Sequence, residues 1–173
     1  VFPYTVINLS PQLTNHIANS MERTYIEDKK FEHIDFTETA LTEADYENCV
    51  FSNCNFSNAD LYNFVFSECE FNGCNLSMAK LEKTSLKDIH FKDCKLLGVH
   101  FEKCDDFLFA VNFENCTMNL ASFCKRKLKK TKFLNCNLQE VDFVEADLSA
   151  AIFDNCDLAG AIFDNTILEK ADF

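Results

Sequence analysis

Glycine and proline are scarce in this chain: Gly73, Gly98 and Gly160 are its glycines, and Pro3 and Pro11 both lie near the start. The corners of any compact fold over the remaining residues must therefore be turned by ordinary side chains. No Gly-rich phosphate loop, nucleophile elbow or HExxH helix occurs, which removes the familiar signatures of nucleotide, hydrolase and zinc-protease chemistry. No run approaches 18 consecutive apolar residues, so no membrane-crossing helix is expected. Residues 1–20 carry no Lys, Arg, Asp or Glu. They also lack a basic start, and Pro3, Asn8 and Pro11 interrupt their apolar run, which argues against a secretory signal. Histidine is limited to His16, His33, His90 and His100. None has a second histidine at metal-ligand spacing.

What the chain does contain is a five-residue step. A large apolar residue returns at Phe31, Phe36, Leu41, Tyr46, Phe51 and Phe56, and the step holds to Phe101. A second run, offset by two residues, starts at Leu108 and passes through Phe113, Met118, Phe123 and Leu128 to Phe173. A helix repeats near 3.6 and a strand at 2, so this period fits neither. A fixed short period instead marks a solenoid whose coils bury their side chains against one another.

The column two places before each large residue is small, as at Cys54, Ala59, Cys74, Ala79, Cys116, Ala146 and Ala161. The column immediately before it is often Asp or Asn, as at Asn55, Asp60, Asn75, Asn137, Asp142, Asp147 and Asp157. One bulky and one small inward slot per quintet would fill a narrow tube without voids. The other three positions face water. Phe64 is bulky for the small column and Arg126 puts a cation there. A buried guanidinium without partners is prohibitive, so Arg126 must either swing outward at a local bulge or meet a carboxylate.

On the quotable matches Ala59-Asp60-Leu61, Cys54-Asn55-Phe56, Ala146-Asp147-Leu148 and Cys156-Asp157-Leu158, the sequence resembles the pentapeptide-repeat family from about Tyr25 to Phe173. The resemblance implies an all-β fold, a right-handed quadrilateral β-helix with four quintets to the coil. At about 4.8 Å per coil, about seven coils would make a rod on the order of 35 Å long. Phe31, Phe51, Phe71 and Phe91 should form one core ladder, and Phe113, Phe133, Phe153 and Phe173 another. Leu108, Leu128, Leu148 and Leu168 should form a leucine column. The register slips once, at 102–107, where seven residues replace five and a bulge or short corner loop is expected. Residues 1–24 read as a non-repeat N-terminal extension, with Met21 near the start of the functional part, and 25–173 as the β-helix. The last residue, Phe173, is a core position; an open edge there calls for further chain or for a second copy, a homodimer through that end.

Ten cysteines would suit a small disulfide scaffold. Nine, however, sit in or beside the small inward column, and only Cys124 does not. Stacked parallel thiols at intervals of 5 and 20 suit neither crosslinks nor zinc, so free, packed cysteines and a reducing, cytoplasmic compartment are expected.

Charge is the most informative surface feature. Residues 21–60 hold 10 acids and 3 bases, residues 61–132 hold 9 and 12, and residues 133–173 hold 9 and 1. The total is −12: two acidic ends and a mildly basic waist. Solubility alone is the plain reading of such a balance. The sharper one is that an acidic rod competes with DNA for the Lys and Arg groups of a DNA-holding protein. The candidate contact residues are Asp142, Glu145, Asp147, Asp154, Asp157 and Asp164. Lys125, Arg126, Lys127, Lys129, Lys130 and Lys132 form a basic cluster, which would pair with acidic groups on a neighbouring coil or on a partner. Direct nucleic-acid binding through it is disfavoured by the overall sign and by the lack of interleaved outward aromatics.

The stretches Leu96-Leu97-Gly98-Val99, Asn112-Phe113-Glu114-Asn115-Cys116 and Leu128-Lys129-Lys130-Thr131-Lys132-Phe133 resemble the microcin B17 immunity members of the family and, more distantly, the Qnr quinolone-resistance members. That resemblance implies a non-catalytic bacterial protein that binds DNA gyrase or topoisomerase IV and protects it from poisons. The long loops and dimerising C-terminal helix of many Qnr proteins have no counterpart in this sequence. The alternative is a structural scaffold for another protein. No enzyme activity, cofactor or metal is implied: His90 and His100, ten residues apart, fall on opposite faces, and a convex rod offers no pocket to perturb its carboxylates. Asp105 and Asp106 at the slip read as solvated corner residues.

Overall fold

A computed structural model describes residues 23–173. The expected extension therefore lies, apart from Arg23 and Thr24, outside the described residues. The chain winds through short strands: β1 (Tyr25–Glu27), β2 (Lys30–Glu32), β3 (Asp45–Glu47), β4 (Val50–Ser52), β5 (Val65–Ser67), β6 (Glu70–Asn72), β7 (Ser85–Lys87), β8 (Ile89–Lys92), β9 (Val111–Glu114), β10 (Lys132–Leu134) and β11 (Ile152–Asp154). All pairings are parallel, and before the slip each residue faces the one 20 positions on, as in Phe31↔Phe51↔Phe71↔Phe91. The result is a four-faced parallel β-solenoid, as the five-residue step requires.

The first face is the seven-stranded sheet β2-β4-β6-β8-β9-β10-β11. The second is a line of single bridges through Asn55, Asn75, Lys95, Thr117, Asn137 and Asp157, and the third a line through His100, Ser122, Asp142 and Ile162. The fourth begins as the sheet β1-β3-β5-β7 and ends as bridges Lys127↔Asp147↔Ile167.

Asp and Asn favour the position before the large residue because they close the corner there. Asp60 accepts from the Tyr62 amide at 3.0 Å, Asn75 from Ser77 at 3.1 Å, Asp142 from Val144 at 2.8 Å and Asp157 from Ala159 at 3.0 Å. Each is an Asx turn. On the first face the same position holds residues such as Val50, His90 and Ile152, and the backbone there runs as strand. The corner itself falls two residues after the large one, in the left-handed region. Asn48, Asn53, Asn63, Glu68, Met78 and Lys83 all have φ between 50 and 64°. Left-handed backbone costs a residue with a Cβ roughly 1–2 kcal/mol, which the coil-to-coil hydrogen bonds outweigh. Gly98 has its own reason to be glycine: a Cβ there would sit 2.6 Å from the Met78 sulfur on the coil above.

The core is a stack of rings. Neighbouring phenylalanines of the first face lie 4.7 to 5.3 Å apart, centroid to centroid, from Phe31 to Phe173. The sequence suggested two ladders; the structure has one, since Phe91 stacks on Phe113 at 5.3 Å across the slip. A second ring column, Phe101, Phe123, Phe143 and Phe163, meets it edge-on. Phe64 is accommodated inside, stacked on Tyr46 and Phe66. Phe173 stacks on Phe153 at 4.9 Å.

All ten cysteines are free. Cys74 donates its thiol proton to Phe51 O at 3.3 Å, Cys94 to Phe71 O at 3.1 Å and Cys156 to Phe133 O at 3.2 Å. Thr84 does the same to Leu61 O at 2.7 Å. The small column thus supplies an inward donor to the coil above. Burial pushes the Cys69 and Cys104 thiols up to about 12.

The slip is where the sequence expectation needs correction. Cys104 keeps its inward slot, and the expelled segment is Asp106–Leu108, at the end of the expected 102–107 stretch and one residue past it. Asp105 still donates to Thr84 O at 2.9 Å, and the ladder is regained only where Ala110 donates to Leu86 O at 3.0 Å. Leu108 does not head a leucine column: it turns the corner at φ 57° with its side chain exposed, while Leu128 and Leu148 are buried. Phe109 takes the inner position, half-buried against the core.

Arg126 explains how the bulge is tolerated. Its side chain stays inside, 3% exposed as a residue, with the guanidinium carbon 3.9 Å from the Phe109 ring centroid. It donates to Cys104 O at 3.1 Å, Asp105 O at 2.9 Å and the Asp106 carboxylate. The carbonyls of Cys104 and Asp105 lose their ladder when the chain leaves the sheet, and an orphaned buried carbonyl is costly. The guanidinium replaces that ladder.

Candidate functional site

The six carboxylates expected to form an acidic surface are distributed around the rod rather than gathered. Asp142, Glu145 and Asp164 lie on the third face, Asp147 on the fourth, Asp154 on the first and Asp157 on the second. Three of them are fixed by their turns. Asp142 holds the Val144 amide and Asp157 the Ala159 amide. Hydrogen bonds from the Ala159 amide and Gln139 hold the Asp157 carboxyl below its usual range. Desolvation opposes ionisation of Asp147, yet the Ser149 hydroxyl and amide, with the Lys129 ammonium, hold it low as well. The negative charges therefore occupy set positions on a stiff frame.

The other acidic end concentrates on the fourth face, where β1 and β3 set Glu27 beside Glu47 and bring Asp45 and Asp28 close by. Glu47 accepts from the Tyr25 hydroxyl at 2.8 Å, and that bond pushes the Tyr25 phenol up to about 12.

The basic cluster is only partly a surface. Lys125, Lys127, Lys129, Lys130 and Lys132 wrap one coil from the third face across the fourth to the first. Arg126 is removed from it, buried under the bulge. Lys129 pairs with Asp147 at 3.1 Å, Lys125 with Glu145 at 3.7 Å and the buried Arg126 with Asp106, so the expected pairing with a neighbouring coil holds for those three. Beside this coil the bulge lifts Phe107 and Leu108 into solvent, 66% and 64% exposed, with the Lys87 ammonium 5.6 Å from the Phe107 ring centre. No sequence signal short of the register slip marked those two side chains as outward.

His90 and His100 stand on opposite faces as expected, His90 near Glu114 at 3.6 Å and His100 against Glu102 at 2.8 Å. Among the described residues no group of three or more His, Cys, Asp or Glu side chains gathers to hold a metal ion. No helix among them is long and apolar enough to cross a membrane.

No curated protein matches the chain. Among solved structures, full-length QnrB1, described as a plasmid-mediated fluoroquinolone resistance protein, is 21% identical over 85% of this chain and 92% of its own, with a TM-score of 0.39. A trypsin-treated QnrB1 variant is 25% identical over 86% of this chain and 79% of its own, with a TM-score of 0.34. HetL, a pentapeptide repeat protein involved in heterocyst differentiation regulation from a Nostoc cyanobacterium, is 16% identical over 96% and 97%, with a TM-score of 0.35. Family models for a pentapeptide repeat region and for pentapeptide repeats match residues 42–106 and 142–173. Together they take in more than half of the sequence, and the chain belongs to the pentapeptide-repeat family.

Proposed function

We propose that this protein binds DNA gyrase or topoisomerase IV on the surface that holds DNA, and so protects the enzyme from quinolone- or microcin-type poisons. It does so in the cytoplasm and without catalysis. The observation that carries the reading is the charge: acidic ends on a rigid ladder, in a chain of net charge −12. A DNA-holding surface attracts its ligand through Lys and Arg on phosphates, and long-range attraction of that kind steers any comparable polyanion to it. Carboxylates pinned by Asx turns add preorganisation, so little side-chain freedom is lost on docking.

The test is gyrase supercoiling in the presence of a fluoroquinolone or microcin. The wild-type rod is expected to restore supercoiling in a dose-dependent way, and the quartet Asp142→Asn, Asp147→Asn, Asp157→Asn and Asp164→Asn to weaken that rescue. Asparagine retains the side-chain oxygen that accepts the corner amide, so the fold should survive. No inhibition and no rescue at any ratio would end the proposal.

A scaffold for an unrelated protein is the second reading, and the exposed Phe107–Leu108 pair favours it. Exposed aromatic and aliphatic anchors of this kind suit an interface centre. Under that reading Phe107→Ser with Leu108→Ser abolishes partner capture, while the aspartate quartet has no effect.

A further inference from the structure

We infer that the notch under the bulge on the fourth face is an oxyanion site for a compact phosphate-bearing ligand. The notch has a volume of about 90 Å³ and is lined by Phe109, Ala110 and Asn112 on one coil and by Lys127, Lys130 and Thr131 on the next. A notch of that size admits several water molecules or one tetrahedral oxyanion. It lies beside the expelled Asp106–Leu108 segment, with Phe109 forming part of its wall.

Its donors are free. Lys129 is held by Asp147, but Lys127 and Lys130 form no ion pair within 4.0 Å among the described residues. The Lys127 amide is also without a partner. On other coils the equivalent amide donates to the coil before: Ser122 to Val99 O at 3.0 Å, Asp142 to Ala121 O at 3.0 Å, Asp147 to Arg126 O at 2.9 Å. At Lys127 the corresponding carbonyl, Cys104 O, is taken by the Arg126 guanidinium, and no bridge joins Asp105 to Lys127. The turn amide that follows, at Lys129, lacks its cap too, because position 127 is lysine where other coils have Asp or Asn. Backbone N–H groups left open beside ammonium groups form the standard cradle for a phosphate. Arg126, stacked on the Phe109 ring that lines the notch, is paired with the Asp106 carboxylate and leaves Lys127 and Lys130 as the unpaired cations there.

The surrounding field selects the size of the ligand. The acidic stretch 133–173 adjoins this coil on one side, and at physiological salt charges are felt over about 8 Å. A duplex laid along the rod would meet that stretch; a single phosphate group or a mononucleotide would meet only the notch. The inference does not depend on topoisomerase binding.

The experiment is an amide-resolved NMR titration of the full chain with inorganic phosphate, with AMP and with a short DNA duplex, against sodium chloride at matched ionic strength. Saturable shifts are expected at Ala110–Asn112 and Lys127–Thr131 with phosphate and AMP. Lys127→Gln with Lys130→Gln should weaken binding at least tenfold, while Lys125→Gln, outside the notch, should leave it unchanged. A response to chloride equal to that of phosphate would overturn the inference, as would a double variant that still folds and binds normally. Tighter binding of the duplex than of AMP would overturn the assignment to a compact ligand.

Discussion

Arg126→Ala removes the group that substitutes for the broken ladder, and its cost can be worked from the contacts. Cys104 O, which is buried, and Asp105 O, which is part-buried, lose their donor. At about 1–3 kcal/mol for a buried group left unsatisfied, with the part-buried one at the low end, the loss is about 2–4 kcal/mol. The guanidinium stacked on Phe109 adds about 0.5–2 kcal/mol. Against this stands relief of the desolvation of a buried cation, several kcal/mol in its own right, and the freed carbonyl of Cys104 can accept from the Lys127 amide once the side chain is gone. A net loss of about 3 kcal/mol is therefore expected for Arg126→Ala. Arg126→Lys, which keeps the charge but not the fork, should lose about 1–2 kcal/mol. Asp106→Asn should cost little, because that carboxylate is 95% exposed and its ion pair is screened. Urea unfolding followed by circular dichroism measures the three values, and hydrogen exchange at Lys127 reports whether its amide becomes protected in Arg126→Ala. If Asp106→Asn costs as much as Arg126→Ala, or if Arg126→Ala costs under about 1 kcal/mol, the ladder-replacement argument is wrong.

Three further expectations follow from the same packing. Phe113→Ala, cut from the rung shared by Phe91, Phe133, Phe101 and Phe123, should destabilise by about 3–5 kcal/mol in urea unfolding, and Phe113→Leu by well under half of that. Burial raises the folded-state values of Cys69 and Cys104 to about 12 from an ordinary 9.0. Their contribution to stability is thus complete below pH 9 and is lost as pH rises towards 12, so the melting temperature should be level from pH 7 to 9 and fall above it. A thiol-reactive probe at neutral pH should reach the half-exposed Cys124 and Cys156 first, the eight buried thiols reacting only as the rod unfolds.

The period of five and the small inward column made the solenoid, the register of 20 and the phenylalanine ladder legible, because packing in a narrow tube permits no other arrangement of those residue types. Charge along the chain was equally legible; its distribution around the rod was not, and Asp142, Asp147, Asp154 and Asp157 proved to face four ways. The corner was hidden because left-handed backbone normally announces itself with glycine, and here Met78, Lys83, Lys125 and Leu120 adopt it under the force of the ladder. At the slip, counting by five gave Leu108 the inward slot. The chain instead expels Asp106–Leu108, gives the inner position to Phe109 and lets Arg126 reach in from the next coil, a contact between residues about 20 apart that no local pattern records.

The central claim, that an acidic rod occupies a DNA-holding surface, is tested most directly by competition. Labelled protein bound to DNA gyrase should be displaced by unlabelled duplex, and its apparent Kd should weaken steeply as salt rises. Undisturbed simultaneous binding of duplex and rod to the same enzyme, with an affinity indifferent to salt, would contradict the account.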